Sequence, residues 1–250
     1  MRINVTSNFP EVAARLQSLG RRAPGVANTS LTLTARDGQA AIKAEKARVF
    51  DRPTKYALNS TIVKTSAKDL EASILVKDDI WGKGTPANRF LGPQIFGGDR
   101  SQKGMERMLE RARLMPYGWF AVPGAGAQLD GNGNVKRSQI VQILSQLKLQ
   151  RGAGFESRAS GSTRSNRTIA RQGVTYFALA TVRRGLQPGI YMKRKVAMGT
   201  TVKPVFLFVS AVQYRKRLRF HEVGEATVRA RFPVHFRAEA AKAVAAARLR

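Results

Sequence analysis

Ala27-Asn28-Thr29-Ser30-Leu31-Thr32-Leu33-Thr34-Ala35-Arg36-Asp37-Gly38-Gln39-Ala40-Ala41-Ile42 is the stretch on which the fold turns. Ala27, Leu31, Ala35, Gly38 and Ile42 recur at spacings of four, four, three and four, the period of one helix face. Most of that face is small. Short side chains let another backbone approach closely, so the pattern predicts a helix packed hard against a sheet or a second helix. Lys43, Lys46 and Arg48 follow it and are expected to solvate its end. Upstream, Val12, Leu16 and Leu19 before Gly20 predict a shorter amphipathic helix. Downstream, 53–60 reads as a helical turn, and Thr61 to Thr65 with Asp69 to Lys77 reads as a hairpin.

Beyond the hairpin the pattern loosens. Gly82, Gly84, Pro86, Gly92, Pro93, Gly97 and Gly98 punctuate Asp79 to Arg100, which reads as a long loop exposing Trp81, Phe90 and Phe96. Ser101 is expected to cap a helix carrying Met105, Met108, Leu109, Ala112 and Met115. Trp119 to Val122 predicts a strand, Asp130 to Asn134 a tight turn, and Ser138 the cap of a helix through Ile140, Val141, Leu144 and Leu147. Residues 150–173, rich in Gly, Ser and Arg, are expected to form a mobile basic loop. Val174 to Val182, Ile190 to Met192 and Pro204 to Val209 read as strands joining the earlier hairpin in one sheet. Arg215 to Arg231 and Val234 to Leu249 read as helix, with Pro233 a kink or break. The expectation is α+β: an antiparallel or mixed β-sheet packed against N-terminal and C-terminal helices, with long basic and aromatic loops. Residues 1–250 would form a single elaborated domain with an inserted region at about 79–150.

The chemistry the chain lacks narrows its function. It has no cysteine, so disulfides, thiolate metal sites and a Cys nucleophile are excluded. The start of the chain, Met1 to Pro10, lacks the apolar core of a signal peptide, and the longest near-apolar run, Val205 to Val212, is too short to span a bilayer. His221, Glu222 and Glu225 offer two metal ligands one helical turn apart, with no evident third. Asp130, Asn132 and Asn134 begin like a calcium loop, but Val135 and Val141 stand where its glycine and closing glutamate belong. Gly124-Ala125-Gly126 lacks the Lys and Ser or Thr of a phosphate-binding loop. The acids are scattered, with Asp78-Asp79 the only adjacent pair singled out, and neither histidine has an evident serine partner. The reading is no enzyme, no cofactor and no metal.

Charge remains. The chain has 44 Lys and Arg against 16 Asp and Glu, a net charge of +28. Between Gly131 and His221 lie 18 basic residues and a single acid, Glu156. They cluster: Arg151, Arg158, Arg164, Arg167 and Arg171 in the loop; Arg183 and Arg184 at a turn; Lys193, Arg194 and Lys195 after a strand; Arg215, Lys216, Arg217 and Arg219 at the start of the C-terminal helix. Such an excess attracts polyanions through counterion release, either nucleic acid or an acidic protein surface. Phe155 is the only ring in the Arg loop, which disfavours a stacking platform for single strands.

The segments Pro24-Gly25-Val26-Ala27-Asn28, with the small-residue helix and the basic turn around Arg52, resemble the tail completion proteins of tailed bacteriophages, the minor tail protein Z type. Arg89-Phe90-Leu91-Gly92-Pro93-Gln94-Ile95-Phe96-Gly97-Gly98, Ala121-Val122-Pro123-Gly124, Asp130-Gly131-Asn132-Gly133-Asn134 and Ser138 to Ser145 are similar to a related group of phage virion proteins. So are Lys203 to Val209 and the closing Phe232-Pro233 helix. The chain is longer than the protein Z pattern and inserts about Trp81 to Ser145. The resemblance implies a structural virion protein of the neck or upper tail, a tail completion or head-tail connector subunit assembled in the host cytoplasm. Its partners would be copies of itself in a ring, portal, adaptor or tail tube proteins, and packaged DNA, with no membrane. Trp81, Phe90, Leu91 and Phe96 are the expected subunit contacts, since apolar loop residues need cover. The competing expectation is a basic protein of ribosomal or packaging type that binds nucleic acid without sequence preference.

Overall fold

The computed structural model describes residues 2–5, 23–78, 85–149 and 173–248. The expected helix over Val12 to Leu19 and the basic loop at 150–173, save Gly173, lie outside them. The fold is α+β, with antiparallel sheets and long helices toward each end of the chain. It divides into two compact units, one formed by 1–98 and 214–250 and the other by 99–213. The sequence reading drew one elaborated domain with an insertion at 79–150; the contacts instead separate 99–213 as a body of its own.

In the first unit, β1 (Arg2–Val5), β2 (Thr61–Ser66) and β3 (Glu71–Val76) form an antiparallel sheet in the order β1-β3-β2. The helix α1 (Ala23–Val49) lays its small-residue stripe on this sheet. Ala27, Leu31, Ala35 and Ile42 are buried together with Ala72, Ile74 and Val76 of β3. Gly38 shows why the stripe must be small: a Cβ there would sit 2.5 Å from Ile74 Cδ1. Each fully buried Leu or Ile contributes about 1.5–3 kcal/mol. The turn α2 (Lys55–Leu58) is capped by Thr54, whose hydroxyl accepts from the Ala57 N–H at 3.1 Å.

The stretch expected to be a loop contains α3 (Ala87–Phe96). Ala87, Leu91 and Ile95, four residues apart, face the core, while Gly92 and Pro93 are accommodated on the half-covered side. A single carbonyl, that of Gln94, accepts both the Arg217 and Leu218 N–H groups at 2.8 and 2.9 Å, fixing the segment that buries Leu218 and Phe220. The closing helix α6 (Phe220–Arg248) therefore begins five residues later than the sequence suggested, leaving Arg215 to Arg219 outside it. It also runs unbroken through Pro233. Proline removes one helical hydrogen bond, to the carbonyl of Arg229, and both residues are exposed where water can replace it.

The chain enters the second unit through β4 (Gly98–Asp99) and leaves it through β9 (Gln213–Tyr214), and these two short strands pair with each other. Between them lie α4 (Gly104–Arg111), β5 (Phe120–Pro123), α5 (Arg137–Gln146), β6 (Val174–Leu179), β7 (Gly189–Val196) and β8 (Gly199–Val209). The helix caps are Lys103 and Lys136 rather than Ser101 and Ser138. The four strands form a separate antiparallel sheet, β5-β8-β7-β6, so the expected single sheet is two. Leu109, Ile143, Tyr176, Ile190, Val205, Phe206 and Phe208 make its core. The turn at Asp130 is as read: the Asp130 carboxylate accepts the N–H groups of Asn132 and Asn134, each at 2.9 Å, and Gly133 takes φ 79°.

Candidate functional site

The acids are scarce, and the structure ties the buried ones to cations. Glu106 on α4 is completely buried. Arg100 donates to both of its oxygens, and the N–H groups of Lys103 and Ala121 donate at 2.6 and 2.8 Å. Arg100 also lies 4.8 Å over the Phe120 ring. Burial alone would raise the Glu106 pKa, but the Arg100 and backbone hydrogen bonds outweigh it and hold the carboxyl below its ordinary value. Glu45 on α1 is governed the same way, with burial opposed by Arg48 and Arg219. Asp37 accepts from Arg231 at 2.7 Å and meets His235 Nε2 at 2.8 Å, pinning α1 to α6; these contacts lower its pKa. Glu222 pairs with Lys216. Among the described residues no group of three or more His, Asp or Glu side chains is arranged to hold a metal. Asp78 is described; its neighbour Asp79 is not.

Among the described residues, one buried charge lacks an opposite. Lys46, expected to solvate the helix end, is fully buried instead. Its ammonium donates to Ser60 Oγ at 2.8 Å and to the Ala57 carbonyl at 3.2 Å, gathering the end of α2 onto α1. Desolvation, reinforced by nearby Lys43, lowers its pKa to about 8.

The remaining cations form the candidate surface. Arg184 and Gly185 have φ of 50° and 78°, and Arg183 and Leu186 exchange both backbone hydrogen bonds, so the expected turn is a type I′ hairpin turn. Both arginines are exposed on it. Lys193, Arg194 and Lys195 do not follow a strand; they lie within β7, where Lys193 and Arg194 pair with β6 on one side and β8 on the other, and only beyond them do β7 and β8 continue as a two-stranded ribbon. All eleven residues from Lys193 to Lys203 are exposed, and Met198 at the tip is 99% exposed. Arg215 and Arg217 are exposed beside α3, whereas Lys216 and Arg219 are matched to Glu222 and Glu45. Arg151, Arg158, Arg164, Arg167 and Arg171 lie outside the described residues.

The four expected subunit contacts separate. Trp81 is outside the described residues. Leu91 is 1% exposed and already covered by the chain's own core, so the premise that it needs external cover does not hold. Phe90 is half-buried against that core, 5.9 Å from the Tyr56 ring. Phe96 is 67% exposed, with His221 the ring beside it at 6.0 Å. Sequence reasoning missed Tyr117, which is 90% exposed; its place after Pro116 in a turn was the available signal.

No family model, no curated protein and no solved structure matches this chain. No helix among the described residues is long and apolar enough to cross a membrane.

Proposed function

We propose that this chain is a structural protein of a tailed bacteriophage particle, a tail completion or head-tail connector subunit of the neck that acts as one of several copies in a ring. Portal, adaptor or tail tube proteins would be its neighbours, and it would carry out no catalysis. The observation that carries the reading is the surface left without an internal match. Arg183, Arg184, Lys193, Arg194, Lys195, Lys203, Arg215 and Arg217 are all exposed, and no ion pair engages them among the described residues. Uncovered apolar side chains accompany them, Phe96 in one unit and Tyr117 and Met198 in the other. Two unlike adhesive regions suit the heterologous contacts from which rings are built. The motif stretches that resemble phage virion proteins point the same way.

Imaging of intact particles tests this directly: the chain is expected as a closed ring at one axial height, and particles that lack it overturn the reading. A second reading, a dedicated nucleic-acid-binding protein, is favoured by one feature, the exposed cations Lys193, Arg194 and Lys195 on a sheet whose strands β6, β7 and β8 contain no carboxylate. A purified chain that binds nucleic acid and is absent from particles would favour it.

A further inference from the structure

We infer that the outer edge of β6 is a docking strip for an extended acidic segment of another protein, which adds to the sheet of the second unit as a fifth strand beside Tyr176 to Leu179. This names a partner chemistry for the cations at that end of the sheet, and it rests on the reading of the exposed cations as docking points for neighbouring proteins.

The sheet β5-β8-β7-β6 has two outer strands, and the chain treats them differently. Along β5 the outward groups are occupied. Glu106 accepts the Ala121 N–H at 2.8 Å, Gln102 donates to the Trp119 carbonyl at 3.1 Å, and Pro123 has no N–H to offer. Along β6 one side chain does this work alone. Gln146, the last residue of α5, accepts the Tyr176 N–H at 2.7 Å and donates to the Val174 carbonyl at 3.3 Å, as the backbone of a neighbouring strand would. In an antiparallel ladder the N–H and carbonyl of one residue face the same side, and the sides alternate along the strand. The Gly173 carbonyl accepts the Lys195 N–H of β7 at 3.3 Å, so the odd-numbered residues face β7 while Val174, Tyr176 and Ala178 face outward. Past the reach of Gln146, the Tyr176 carbonyl and both backbone groups of Ala178 have no partner among the described residues.

Such an edge is a template for strand pairing, and chains ordinarily blunt it with lysine, proline or a bulge. None of these stands here: Val174 to Val182 contains no charged residue and no proline, and the register of β6 with β7 is unbroken. Tyr176 and Ala178 turn their side chains to the core. Phe177 and Leu179 therefore lie on the opposite face, half-buried, where they can flank alternate apolar side chains of an added strand.

Charge selects the occupant. Arg183 and Arg184 stand exposed just beyond the strip, without an ion pair among the described residues, and β6, β7 and β8 bring no carboxylate to them. A second copy of this chain fits badly. Antiparallel pairing of two β6 edges about Ala178 carries Arg183 and Arg184 of each toward Gly173 and the adjoining Lys195 of the other, so cation meets cation. An extended segment with carboxylates at one end meets the same arginines with opposite charge.

The probe is a synthetic peptide of alternating valine and threonine ending in three glutamates, compared with its counterpart ending in lysines and with the acidic peptide N-methylated throughout. Hydrogen exchange of the full chain, read amide by amide, is the direct test and needs no variant. Saturating acidic peptide should slow exchange at Ala178 by about tenfold or more and leave Phe177, already bonded to β7, unchanged. The lysine-ended peptide should bind about tenfold more weakly, and the N-methylated one should give no protection. Ala178→Pro removes the outward N–H without touching the ladder and should abolish binding, with thermal unfolding as the check on its fold. Gln146→Ala bares two further backbone groups and should tighten binding about fivefold. R183Q/R184Q should erase the preference for the acidic end. Unchanged exchange at Ala178, equal binding of the lysine-ended or N-methylated peptide, or weaker binding by Gln146→Ala overturns the inference. Protection of Ala178 that grows with the concentration of the chain alone also overturns it and assigns the edge to a second copy. Failure of the peptide with a ring still seen in particles removes this inference alone, whereas particles that lack the chain remove the proposed function whatever the peptide does.

Discussion

Lys46 in the first unit and Glu106 in the second are both completely buried charges, yet they are held in opposite ways. Glu106 meets a guanidinium at both oxygens and two backbone N–H groups besides. Lys46 meets only neutral oxygens, and among the described residues no carboxylate reaches it. The difference follows from composition. In a chain with 44 cations and 16 anions, a buried acid finds a partner readily, whereas a buried base competes for few acids. An unpaired ammonium answers by loosening its proton; a doubly bound carboxylate answers by tightening its charge.

The comparison is broken most severely at Glu106. Glu106→Ala leaves Arg100 buried without its anion, and is expected to cost about 3–5 kcal/mol, read as a shift in the denaturation midpoint. A loss below about 1 kcal/mol would mean that the pair is not the anchor described. Packing supplies the next effect: Gly38→Val drives a branched side chain into Ile74 and should cost about 1–3 kcal/mol in the first unit. Lys46→Met should cost less, about 1–2 kcal/mol near neutral pH, because Ser60 Oγ still donates to the Ala57 carbonyl at 2.6 Å when the ammonium is gone.

Titration sharpens the contrast. Lys46 has a folded-state pKa of about 8 against an ordinary 10.5, so below pH 8 the fold carries the full cost of burying its charge. As pH rises from 8 to 10.5 the unfolded chain holds the proton that the folded one has released, and stability should rise relative to Lys46→Met. For Glu106 the slope has the same sign, but here it is the charged form that the fold favours. Its folded pKa lies below the ordinary 4.5, so its contribution is complete above pH 4.5 and disappears as pH falls through the folded value. The difference between the unaltered chain and Glu106→Gln should therefore narrow in acid, as followed by denaturant unfolding at stepped pH. The smallest effect belongs to the exposed face of β7: K193Q/K195Q should change stability by no more than about 0.5 kcal/mol, because both side chains are exposed and neither has an ion pair among the described residues.

Local pattern carried much of the fold. The four-residue recurrence from Ala27 to Ile42, the hairpin at 61–77 and the Asp130 turn could be read directly, because each is set by neighbours in sequence. The helix α3 was hidden by Gly92 and Pro93, although Ala87, Leu91 and Ile95 already had helical spacing. The division of strands between two sheets depends on pairings far apart in the chain, on which local spacing is silent. Lys46 was misread because nothing near it announces that Ser60, fourteen residues on, folds back over it. At the candidate site, the arginine turn at 183–184 was legible from its composition. The ribbon was not: an apolar run marks only the part of β7 and β8 that rests on a core, and the projecting part reads like any polar loop.

The pairing of β4 with β9 brings together the two points where the chain passes between its units, and this sets an order of synthesis. Residues 99–213 leave the ribosome as one uninterrupted piece, whereas the body that begins at the N-terminal side waits for Leu218 and Phe220 to arrive. The middle of the polypeptide is thus ready to mature before its beginning, and a released chain truncated after residue 213 would hold a finished inner body and an unfinished outer one.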